Sequence, residues 1–127
     1  MAEKRFGLTR DERVRKRKDY DRVFQEGGSV RAGLVCGRYV PNGTSLTRIG
    51  IAMPNRFGKA AKRNRARRLL KEAYRLHKHE MPPGLDIILL PGPGWNKPPL
   101  SGLEECISRI ARKLSQKQAG GRDAGPA

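Results

Sequence analysis

The chain predicts an α+β fold, an α/β sandwich whose elements follow the order α-β-β-α-β-α. Three observations carry that reading. Several segments place apolar residues at helical spacing, others place them at strand spacing or in short unbroken runs, and 127 residues suffice for one modest core. A basic arm over residues 1–18 precedes a single domain at 19–114, and the Gly-rich end "SQKQAGGRDAGPA" reads as a flexible tail over 115–127.

The arm carries eight Lys or Arg against three acids and reads as extended, without a packing face. "KDYDRVFQEGG" then predicts a short helix: Tyr20, Val23 and Phe24 share one face, Asp19 stands at its start, and Gly27-Gly28 end it. "GLVCGRYV" and "TRIGIAMP" predict strands joined as a hairpin through "PNGTS", with Asn42-Gly43 as the turn, and a short extra strand fits at Ser29 to Arg31. In the second of these strands Ile49, Ile51 and Met53 alternate with Arg48, Gly50 and Ala52, so one face is buried and the other is small, open and able to admit a ligand. "KRNRARRLLKEAYR" predicts a long helix that packs through Ala66, Leu69, Leu70, Ala73, Leu76 and His77, and "MPPG" stops it. "LDIILL" is an unbroken apolar run of strand length, expected at the centre of a sheet. After the loop "PGPGWNKPP", "LSGLEECISRIARKL" predicts a last helix with Leu103, Ile107, Ile110 and Leu114 on one face.

A net charge of +16, from 28 Lys and Arg against 12 Asp and Glu, points to a polyanionic partner, and nucleic acid fits best. No apolar run approaches the roughly 18 to 20 residues of a membrane span, and the N-terminal residues lack the apolar centre of a secretory signal. A cytoplasmic protein without a membrane partner is expected. Cys36 and Cys106 stand 70 positions apart in no ligand-like pattern and read as inert thiols. The charge concentrates on the long helix, where Arg63, Arg67, Lys71 and Arg75 recur every four residues and Asn64, Arg68 and Lys78 extend the same arc, a stripe about 18 Å long. Solvated helix faces interleave Glu with Lys and Arg, whereas here Glu72 is the only acid between Arg56 and Lys78, against ten bases. Arginine predominates, and its planar guanidinium grips phosphate bidentately and stacks on bases. Arg56, Gly58 and Lys59 add bases and backbone N–H groups at the helix N-terminus, a ready phosphate site.

The run "RIGIAMPNRFGKAAKRNRARRLLKEAYR" resembles the signature of the bacterial ribonuclease P protein subunit, centred on Arg63-Asn64-Arg65, and "RKRKDYDRVFQEGGSVR" is similar to that family's first helix. The resemblance spans about Phe6 to Leu114. It implies a mixed four-stranded sheet with a left-handed β-α-β crossover built on the long helix. It also implies the protein subunit of an endoribonuclease whose RNA subunit cleaves precursor tRNA with Mg2+ held mainly by that RNA, the protein binding the catalytic RNA and the 5′ leader. Carried onto this chain, the RNA-contacting positions are Arg56, Arg63, Asn64, Arg65, Arg67, Arg68 and Lys71, and the leader-cleft aromatics are Tyr20, Phe24 and Tyr39. Pro54-Asn55 stands where the family usually has Ser-Lys.

A protein nuclease needs clustered carboxylates for metal ions or a His pair acting as acid and base. The acids here fall mainly in the arm and the first and last helices, and His77 and His79, two apart on a helix, are expected to point in different directions. No catalytic residue and no protein metal site are expected. The competing reading is a non-catalytic RNA-binding protein, ribosomal or chaperone, on a similar sandwich.

Overall fold

The structure, a computed structural model, describes residues 8–55 and 57–124, with side chains through residue 117. Its elements are α1 (Arg17–Glu26), β1 (Gly28–Ala32), β2 (Val35–Pro41), β3 (Arg48–Ile51), α2 (Ala60–His77), β4 (Leu85–Pro91) and α3 (Leu100–Ala124), with short 3-10 turns at Arg10–Glu12 and Lys78–Glu80. The strands form one sheet in the order β1-β2-β4-β3. The β1–β2 and β2–β4 pairs are antiparallel, and β3–β4 is parallel, so the sheet is mixed and β3-α2-β4 is a β-α-β unit.

The run Leu85–Leu89, apolar but for Asp86, takes the sheet's interior because both its faces must be covered: all five residues are buried, and β4 pairs on both sides. This placement overturns the expected β2–β3 hairpin, since β4 lies between the two strands. Asn42-Gly43 is used differently. The Asn42 side chain accepts the Thr44 backbone N–H at 2.9 Å in an Asx turn, while the Asn42 N–H donates to the Gly84 carbonyl, tying the loop to the entry of β4. The true hairpin is β1–β2, turned by Gly33-Leu34, where the sequence pattern predicts the start of a strand. Gly33, at the first central position, has φ 55°, the conformation such a turn requires and glycine adopts at least cost.

The sheet carries a core on each face. On one, α2 and α3 pack Leu70, Ala73, Tyr74, Leu103, Ile107, Ile110 and Leu114 against Val30, Val35, Ile49, Ile87 and Leu89. The buried faces of both helices follow the expected phase, with Tyr74 added and Leu69, Leu76 and His77 only partly covered. On the other face, α1 packs Val23 and Tyr20 onto Val40 and Ile88. The open face expected along β3 is therefore closed. A Cβ on Gly50 would lie 2.6 Å from the Tyr20 hydroxyl, so the missing side chain makes room for that ring.

The arm is less extended than its composition suggests. Val14 is buried in the α1-side core, its N–H donates to the Ile49 carbonyl at 2.8 Å, and the Arg13–Ile49 bridge covers the open edge of β3. Glu12 pairs with Lys78 at 2.9 Å. Residues 1–7 of the arm and 125–127 of the tail lie outside the described residues. The backbone of α3 continues past the boundary expected at Leu114, to Ala124, although Leu114 is the last buried residue among those whose side chains are described. Cys36 and Cys106 are both free thiols.

One charge is fully buried among the described residues, the carboxylate of Asp86 in β4. Arg48 grips it bidentately, Nε to Oδ1 at 2.8 Å and an Nη to Oδ2 at 2.6 Å, while the Asn42 amide donates at 2.9 Å. Arg22 of α1 stands 3.8 Å away, and Arg48 also reaches Asp19 of α1 at 3.6 Å. Burial pushes the Asp86 carboxyl pKa up, but hydrogen bonds from Arg48 and Asn42 and the charges of Arg48 and Arg22 outweigh it and hold the group below the ordinary aspartate value. A pKa depressed by folding gives stability that is complete above the unfolded value and lost as pH falls through the folded one. Asp86→Ala should destabilise the domain by roughly 3 kcal/mol at neutral pH, the low end for a broken buried ion pair because the Arg48 side chain is 29 % exposed. Urea melts across pH should show that gap narrowing below about pH 4.

Candidate nucleic-acid interface

Helix α2 lies across the sheet with Ala66, Leu70, Ala73 and Tyr74 inward, which leaves the intervening positions to solvent. Asn64, Arg65, Arg67, Arg68 and Lys71 are exposed there, as the helical phase requires. Arg63 is half-buried and donates to the Pro54 carbonyl at 2.9 Å, fastening the β3–α2 loop to the helix. Arg67 donates to Asn64 Oδ1 at 3.1 Å, which orients its guanidinium along the surface. Arg56 lies outside the described residues. The stripe is shorter than its spacing suggests, because Arg75 is held by Glu72 and Lys78 by Glu12. Its open part runs from Arg63 to Lys71, with Arg65 and Arg68 on the flank toward the β4–α3 loop.

The aromatic candidates do not share one surface. Tyr20 and Phe24 both belong to α1, but Tyr20 packs into the core beneath the helix whereas Phe24 is 39 % exposed. Tyr39 points to the other face of β2 and packs beside the α2–α3 core, its ring crossing Gly28. The strand alternation instead puts Arg38 on the α1 side, where its guanidinium donates to the carbonyls of Phe24 at 2.7 Å and Gly27 at 3.2 Å. A cation thus satisfies the last carbonyls of α1 and favours the negative end of its dipole. Single-sequence reading missed this residue, and its position two before Val40 on the α1 face was the available signal.

Folding of the arm creates a second basic concavity. Arg13, Arg15, Lys16, Lys18 and Arg48 line a hollow of about 330 Å³ together with Asp19. The sequence showed these bases but not their convergence on Arg48.

His77 bridges Glu80 at 2.6 Å and Glu104 at 2.8 Å. Burial lowers the imidazole pKa, but the two carboxylates more than compensate and the net direction is upward. The His77 and His79 rings stack with centroids 6.4 Å apart instead of diverging, because the α-helix gives way to a 3-10 turn at Lys78. Among the described residues, no three His, Cys, Asp or Glu side chains are grouped so as to hold a metal ion. No described helix is long and apolar enough to cross a membrane.

A small α+β domain with a strongly basic helix packed on a mixed sheet defines a class of polyanion-binding proteins, and comparison with known proteins narrows it. The ribonuclease P family model matches residues 8–115. The ribonuclease P protein component of Thermotoga maritima is 37% identical over 84 residues, covering 66% of this chain and 72% of that protein. That of Nitrosococcus oceani is 34% identical over 107 residues, covering 84% and 89%. Among solved structures, the Thermotoga maritima RNase P protein superposes with a TM-score of 0.72 at 28% identity, covering 80% of this chain and 96% of that one. The Staphylococcus aureus RNase P protein, at 21% identity and a TM-score of 0.68, shares the fold. The chain belongs to the ribonuclease P protein family, the protein component of an endoribonuclease that works as a ribonucleoprotein.

The exposed stripe should therefore read out as salt-dependent RNA affinity. Replacing Arg67 and Lys71 together by Ala should weaken RNA binding and flatten the slope of log K against log salt by roughly 0.7 to 0.9 for each phosphate no longer neutralised. Filter binding across a salt series measures the slope, and circular dichroism checks that the fold persists.

Proposed function

We propose that this protein binds the catalytic RNA of ribonuclease P along the outer face of α2 and the 5′ leader of precursor tRNA beside α1, while the RNA subunit cuts the chain. The observation that carries the reading is the open run Arg63 to Lys71, which concentrates bases on one face without a matching acid in a member of this family. In this reading Arg65, Arg67, Arg68 and Lys71 neutralise phosphates of the catalytic RNA, Asn64 orients Arg67, and Arg63 holds the β3–α2 loop to the helix at Pro54. Two polyanions then approach at lower divalent-ion concentration than they otherwise need. Phe24, the exposed ring on α1, offers a stacking surface to the single-stranded leader.

Mg2+ in this account is held mainly by the RNA. The commitments of the carboxylates support it: Asp86 is held by Arg48, Glu12 by Lys78, Glu72 by Arg75, and Glu80 and Glu104 by His77. Free thiols at Cys36 and Cys106 fit a reducing compartment, the cytoplasm.

Reconstitution tests the proposal. Protein freed of RNA should leave precursor tRNA intact, and adding catalytic RNA should give cleavage at the mature 5′ end, with the protein's benefit largest at physiological Mg2+ and shrinking as Mg2+ rises. Cleavage by nuclease-treated protein alone would contradict it.

A further inference from the structure

Beside the basic stripe, α2 and the loop between β4 and α3 enclose a groove that the family assignment does not explain. Ala66 and Leu69 contribute its apolar floor, Trp95 lines it from the loop, and the cavity measures about 330 Å³, at the small end of the range for ligand sites. Lys62, Arg65 and Lys97 line it as well. A neighbouring hollow of about 430 Å³ continues past Arg68 to Pro99, so the concavity follows the helix for more than a turn.

The wall is braced. Trp95 meets Phe57 in a T-shaped contact with centroids 6.1 Å apart and an interplanar angle of 72°, and Lys62 Nζ lies 5.0 Å from the centre of the Phe57 ring. The loop carrying Trp95 is restrained by Pro91, Pro93, Pro98 and Pro99, and Lys97 is held at φ 48°, a left-handed conformation that a non-glycine residue keeps only where its surroundings impose it.

We infer that this groove takes an unpaired nucleotide of a bound RNA, the base lying against Trp95 and its phosphate among Lys62, Arg65 and Lys97. An indole amid three cations, with no acid among the lining residues, suits a flat, anionic ligand and disfavours a cation. A base on an aromatic ring with phosphates on Lys and Arg is the general chemistry of single-strand recognition, and it is tolerant of sequence. The inference rests on the RNA-binding role proposed above and gives one of its contacts a definite chemistry.

Trp95 is the chain's one tryptophan, so its emission reports on the groove without a label. The full chain is titrated with end-labelled oligoadenylate and with an abasic oligomer of equal charge, following anisotropy for binding and tryptophan emission for the groove. Oligoadenylate should quench the emission saturably in step with anisotropy, and the abasic oligomer should bind while leaving it nearly unchanged. Trp95→Leu should weaken oligoadenylate binding roughly 5- to 100-fold and abasic binding little. Because Trp95 also touches the core, Ala61→Phe serves as a second variant. It starts from an exposed helix position, fills the groove and keeps Trp95, and it should abolish the quench. Binding by anisotropy with unchanged emission, equal quenching by both oligomers, or unaltered affinity in Ala61→Phe would overturn the groove while leaving RNA binding intact. Failure of both oligomers to bind would overturn the groove and the RNA-binding role together.

Discussion

A carboxylate with no solvent exposure survives ionised only where cations and hydrogen bonds replace its water, and Asp86 has that replacement built from three directions. Arg48 comes from β3, Asn42 from the loop after β2, and Arg22 from α1, so one charge near the start of β4 ties that strand to β3, to the end of β2 and to α1. Arg48 extends the tie to Asp19, which fixes the first turn of α1. The position of α1 sets that of Phe24, and Arg38 holds the helix's other end through the carbonyls of Phe24 and Gly27. An apolar residue at position 86 would serve the sheet as well as Ile88 does, but it would leave Arg48 and Asn42 without their acceptor.

The same division of charge runs through the molecule. Several acids are spent on internal ties, Glu12 to Lys78, Glu72 to Arg75 and both Glu80 and Glu104 to His77, and these ties take Lys78 and Arg75 from the surface available to a partner. What remains open is densest on the outer face of α2 and in the hollow where the arm meets Arg48, with further exposed bases on α3 at Arg109, Arg112, Lys113 and Lys117. Self-repulsion along α2 is the cost of that density, and a polyanion relieves it. The protein is in this sense incomplete without its RNA.

Local pattern made much of this legible. The 3.6-residue phase of Leu70, Ala73, Leu103, Ile107, Ile110 and Leu114 identified two helices and their buried faces, and the run Leu85 to Leu89, apolar but for Asp86, identified the interior strand. The basic motif around Arg63-Asn64-Arg65 pointed to the family to which the chain belongs. What escaped depended on contacts distant in sequence. Asn42-Gly43 looked like a hairpin because nothing local says that β4 will enter between β2 and β3. Gly50 looked open because Tyr20, which covers it, lies 30 positions upstream. Val14 looked like part of a solvated arm because its neighbours are charged, yet one buried valine and one edge hydrogen bond suffice to dock the segment. Strand parity puts Tyr39 on the α2 side of β2 and Arg38 on the α1 side, a difference that depends on which residue of β2 the core claims first.

On the function proposed, the two sides of the sheet meet two different RNAs, α2 the catalytic RNA and α1 the precursor's leader. Tethered hydroxyl-radical probes test this most directly, one at Asn64→Cys on α2 and one at Gln25→Cys on α1, both exposed positions, in a chain with Cys36→Ala and Cys106→Ala and in complex with both RNAs. The expected result is scission of the catalytic RNA from the α2 probe and of the 5′ leader from the α1 probe. Leader scission from the α2 probe with none from α1, or the same pattern from both, would contradict it.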